Sequence, residues 1–66
     1  MPMLKVIEVL AESKKSWEDA AQEAVASATK TVRHVESIYI KNMQATVDNG
    51  KISNYRINAK ITFRLE

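Results

Sequence analysis

No cysteine occurs in the 66 residues of this chain, which excludes disulfides and thiolate metal sites. A single histidine, His34, cannot build an imidazole cluster, and a single glycine leaves no loop able to cradle a phosphate. Neither a nucleophile motif nor a paired acid/base constellation is present, so the sequence does not read as an enzyme. No run approaches the roughly 18 apolar residues of a membrane span. The opening MPMLKVIEVL lacks the basic start and long apolar core of a signal peptide. A cytoplasmic location is the default expectation. Charge of one sign is missing too: 10 basic and 8 acidic residues are well mixed, for a net charge of +2. That balance points to neither nucleic acid nor a membrane surface as partner.

What is present is a foldable composition, with 45% apolar and 27% charged residues. A chain of this length reads as one domain over residues 1–66. It buries only about 60% of the surface its unfolded form exposes, so burial and chain entropy nearly cancel. With disulfides excluded, self-association is the expected source of further stability.

LKVIEVLAES is short and β-branched and predicts a first strand of about six residues. The period then changes. Trp17, Ala21, Val25, Ala28, Val32 and Val35 recur at steps of three and four, the stripe of an amphipathic helix. Ser16 with Asp19 resembles a capping box, and Glu18 and Asp19 suit the positive end of the helix dipole. Asn49-Gly50 signals a two-residue hairpin between two further strands. In the last strand Tyr55, Ile57, Ala59, Ile61, Phe63 and Leu65 alternate with Asn54, Arg56, Asn58, Lys60, Thr62 and Arg64. In the middle strand Ile38 and Ile40 share one phase and Met43, Ala45 and Val47 the other, which predicts a β-bulge near Asn42–Met43.

The expected order is β-α-β-β, an α+β fold whose three-stranded antiparallel sheet curls round one helix. The longest, most regular strand, the third, belongs between the other two. One helix covers one sheet face. Tyr39, Met43, Ala45, Val47 and Ile52 are assigned to the other, where they would meet further copies of the chain.

The segments KVIEVLAESKKSWEDAAQEAV, DNGKI and NYRINAKITFRLE resemble the dodecin family over essentially the whole chain. The most specific pieces are the SWEDA helix start, the D-x-G-K turn and the closing FRLE. The resemblance implies a hollow homododecamer that binds flavins such as FMN or riboflavin in pairs. In the family these stack on a tryptophan of the second strand and hydrogen-bond a glutamine of the third. This chain departs at both positions: Ser37 follows VRHVE where the tryptophan should stand, and Arg56 follows NY where the glutamine should stand. The resemblance therefore implies a binding or storage shell with weak or absent flavin binding, and its alternative is a divalent-cation-binding or purely structural dodecamer.

Three further side chains have competing readings. Tyr39, two residues beyond Ser37, is a substitute stacking ring or, by preference, an interface tyrosine. His34 is expected to place a protonated imidazole at the negative end of the helix. Arg56, Lys60 and Arg64 form a solvated or inter-subunit ion-pair face, or an anion site. Calcium or magnesium would have to use carboxylates repeated by symmetry, because Glu8, Glu12, Glu18, Asp19, Glu36, Asp48 and Glu66 show no calcium-loop spacing.

Overall fold

A computed structural model describes residues 3–65. Glu66, one of the carboxylates considered above, lies outside them. The elements are β1 (Leu4–Ser13), α1 (Trp17–Thr31), β2 (Val35–Asp48) and β3 (Lys51–Arg64). The sheet order is β1-β3-β2, with both outer strands antiparallel to β3, as the alternation and hairpin signals require. β1 has 10 residues where about six were expected, and β2 matches β3 at 14 residues each.

Ser16 caps the helix by accepting from the Asp19 backbone N–H at 2.9 Å. Asp19 in turn accepts from the Ser13 hydroxyl at 2.6 Å, which ties the end of β1 to the first helical turn. At the other end the Val32 N–H reaches the Ala28 carbonyl at 2.9 Å. The buried stripe is Ala20, Ala24 and Ala28: Ala28 is as expected, and Ala20 and Ala24 stand one position before the expected Ala21 and Val25. Trp17 and Ala21 flank it, Val32 is the C-cap, and Val35 opens β2. The physical reason is close approach: the sheet closes on the helix where side chains are smallest, and the larger ones fill the margins.

Beneath the alanines run cross-strand rows, Ile7–Ile61–Ile38, Val9–Ala59–Ile40 and Ala11–Ile57–Met43. Ile57, Ala59 and Ile61 are fully buried. The third row corrects an assignment. The register shift between Ile40 and Asn42 inserts Lys41 as the extra residue. A bulge resets the phase, so Met43 and Ala45 pair with Ile57 and Tyr55 on the helix side, not on the far face.

Asn49 and Gly50 both have positive φ, 55° and 78°, as a type I′ turn demands. The finished subunit is elongated, 51 × 19 × 14 Å. Of its seven buried hydrophobics four are alanine, whereas nine large hydrophobics stay exposed among the described residues. Fully burying one such side chain is worth about 1.5–3 kcal/mol, so more apolar stabilisation is left outside this subunit than its two fully buried isoleucines provide.

Candidate functional site

The sheet face turned away from α1 is built in rows as regular as those of the core. Val6, Thr62 and Ser37 lie side by side; then Glu8, Lys60 and Tyr39; then Leu10, Asn58 and Asn42; then Glu12, Arg56 and Gln44. All three candidate residues, Ser37, Tyr39 and Arg56, therefore belong to one face. Within one chain they do not meet. Ser37 lies opposite Thr62, and Arg56 is six residues back along β3, a distance of about 20 Å at strand rise. Tyr39 and Lys60 stand between them.

Arg56 is committed to its neighbour. Its Nε donates to Glu12 Oε2 at 2.7 Å, and a terminal guanidinium nitrogen reaches the same oxygen. Glu12 stands directly opposite on β1, so this is a cross-strand pair formed inside the chain. Lys41 and Glu8 meet at 3.5 Å, as do Arg64 and Glu36. The basic face expected to be solvated or to pair between subunits is thus partly neutralised by the chain's own carboxylates. All three pairs are substantially exposed, and pairs of that kind contribute about 0–1 kcal/mol.

Tyr39 is 64% exposed, beside Lys60 and two residues before the Lys41 bulge. Its ring is free to stack on an aromatic ligand or to enter a subunit contact. Ser37 offers a hydroxyl and no surface for stacking. Trp17 is occupied elsewhere: its ring meets Tyr55 edge-on at 4.8 Å and its Nε1 donates to the Gln44 carbonyl at 2.9 Å. That is the packing role the helix start predicts.

His34 sits two residues beyond the C-cap in a left-handed conformation, φ 59°. Its Nδ1 lies 3.2 Å from an Arg64 guanidinium nitrogen. Arginine has no acceptor, so in any hydrogen bond across this contact the guanidinium is the donor. Among the described residues no three His, Cys, Asp or Glu side chains come together in a way that could hold a metal ion. A cleft of about 500 Å³ between β1 and α1 includes Ile7, Val9, Ala24 and Ala28 and none of the three candidate residues.

Sequence reading missed the apolar content of β1 on this outer face. Leu4, Val6 and Leu10 are 58%, 52% and 62% exposed. The signal was there in LKVIEVLAES, whose apolar residues occupy both phases of the strand. A strand that is apolar on both faces has something to cover on both.

A small β-α-β-β subunit with one sheet face packed under a helix and large apolar side chains exposed on the other defines a class: a small α+β binding domain. The chain belongs to the dodecin family, whose model matches residues 3–66, and it is accordingly a binding protein and not an enzyme. It is 32% identical over 62 residues to a dodecin of Thermus thermophilus, covering 94% of this chain and 90% of that one. An arginine-to-alanine variant of the T. thermophilus dodecin superposes with a TM-score of 0.94 at 30% identity, covering 100% of this chain and 98% of that one. The calcium-chelating calcium dodecin of Mycobacterium tuberculosis, a structure with a calcium-binding site, has a TM-score of 0.84 at 35% identity, covering 97% of this chain and 91% of that one. No helix among the described residues is long and apolar enough to cross a membrane.

Proposed function

We propose that the chain, as one domain over residues 1–66, is the subunit of a hollow, cytoplasmic homododecamer that binds or stores a small ligand through a modified form of the family's flavin site. The observation that carries the modification is the state of the outer face. Ser37 stands where the family places its stacking tryptophan, and Arg56, at the glutamine position, is tied to Glu12. Aromatic stacking contributes about 1–3 kcal/mol per ring face. Its loss from both halves of a paired site weakens flavin by two orders of magnitude or more, at 1.4 kcal/mol per tenfold. Tyr39 is the one exposed ring on this face and is the residue that would take a planar ligand in its place.

A second reading, divalent-cation binding, is favoured by one observation: similarity to the M. tuberculosis calcium dodecin. In a closed assembly a carboxylate near a symmetry axis is repeated, so a calcium or magnesium site needs no ligand spacing within one chain. Native mass spectrometry tests assembly and ligand together. The expected result is a species of about twelve chains without tightly held flavin. A folded monomer would overturn the assembly. Colourless protein that takes up calcium, with a raised melting temperature, would move the reading to the cation. Purified yellow protein would restore the family's ordinary flavin site.

A further inference from the structure

Arg56 is held by Glu12 and carries no carboxamide, but the next residue of β3 on the same face does. Asn58 stands between Leu10 of β1 and Asn42 of β2. It is half-buried, and its Oδ1 is a buried acceptor with no hydrogen-bond partner among the described residues. Such an acceptor is costly, because it has given up water and gained nothing in return. A donor that reaches it from outside the chain would recover that loss. Asn58 also lies close to the exposed ring of this face. Thr62, opposite Ser37, is six residues from Arg56, whereas Lys60, opposite Tyr39, is two from Asn58. Two residues of strand span about 7 Å, and diagonal neighbours at that spacing lie within reach of one aromatic group.

We propose that the ligand contacts have moved along the outer face, with Tyr39 as the stacking ring and Asn58 as the amide edge. One copy of the chain then holds both contacts to a planar heterocycle with an imide edge, an N–H flanked by carbonyls. The assignment rests on the reading of this face as a modified flavin site. Its chemistry follows from the donor inventory of the two side chains. A carboxamide has one acceptor oxygen and two N–H donors, whereas a guanidinium has donors only and cannot receive an imide N–H. Asn58 Oδ1 accepts from the ligand N–H while Nδ2 donates to the adjoining carbonyl oxygen. A half-turn of the amide exchanges the two ends, so either order along the ligand edge can be met. Asn58 thus restores what the glutamine position loses with Arg56, one residue further along the same face of β3.

The test is a titration of the intact protein with riboflavin and with its N3-methyl derivative, followed by quenching of flavin fluorescence. Methylation removes the imide N–H and leaves the stacking ring. Wild-type protein is expected to bind the N3-methyl compound about two- to tenfold more weakly than riboflavin, the range that one such hydrogen bond supplies. Asn58→Leu, similar in size but unable to hydrogen-bond, should bind both compounds alike at the weaker affinity. Equal affinities in wild type overturn the assignment, and so does discrimination that survives in Asn58→Leu. Should Asn58→Leu fail to fold, the wild-type comparison still decides. Binding of neither compound by wild type overturns the modified flavin site and this assignment with it, whereas binding without discrimination overturns this assignment alone.

Discussion

Strand β3 presents Ile57, Ala59, Ile61 and Phe63 to the helix and Arg56, Asn58, Lys60, Thr62 and Arg64 to the opposite side, and the two faces differ in what completes them. The helix face is covered within the chain along its middle, where rows of Ile, Val and Ala fit beneath three alanines, while Met43 at its edge stays exposed. The outer face is crossed by three exposed ion pairs and leaves Leu4, Val6, Leu10 and Tyr39 in water. Packing holds the first face together. Charge pairing only sets the alignment of strands on the second, whose apolar groups nothing in the subunit covers.

Breaking the helix face should cost most. Ile61→Ala removes a fully buried side chain from the row it shares with Ile7 and Ile38, and large-to-small changes of this kind cost about 2–5 kcal/mol. Denaturant unfolding should show the loss directly, and a change below about 1 kcal/mol would mean that the row collapses to fill the space.

On the outer face, Leu10→Asp should act on assembly instead. A carboxylate left unpaired in a subunit contact costs about 3–5 kcal/mol, whereas in the isolated subunit the site is open to water. Smaller species should appear on a sizing column while circular dichroism keeps the β-α-β-β signature. Unchanged assembly would place Leu10 outside the contact.

Smallest is the effect of the cap. Ser16→Ala deprives the Asp19 N–H of its acceptor and should cost about 1 kcal/mol, with a range of about 0.5–2, read as a lowered melting temperature with the oligomer intact. A drop in oligomer size would mean that the helix start also serves the outer face.

The helix face was largely legible in the sequence because each of its signals is local. Alternation in β3, Asn49-Gly50 and the Ser16 cap each act over a few residues. The stripe of α1 was placed one position late at Ala20 and Ala24, though not at Ala28, because its members are mostly alanine, and alanine marks a buried face only weakly. Met43 and Ala45 were assigned to the wrong face because the bulge was recognised but its consequence, a reset of phase, was not carried into the residues beyond it. The outer face was less legible for a deeper reason. Ser37 and Arg56 stand out only against a family pattern, and their separation of about 20 Å along the sheet keeps them from meeting within one chain. The pairing of Arg56 with Glu12 joins positions 44 residues apart, a contact no local pattern reveals.

A flavin titration followed by fluorescence quenching tests the altered site most directly. Wild-type protein should bind FMN or riboflavin weakly. Ser37→Trp should restore a stacking surface, and Arg56→Gln added to it an amide edge, raising affinity by about 1–3 kcal/mol and about 0.5–1.5 kcal/mol in turn. Tight binding by the unmodified protein, or no gain in the double variant, would contradict the account.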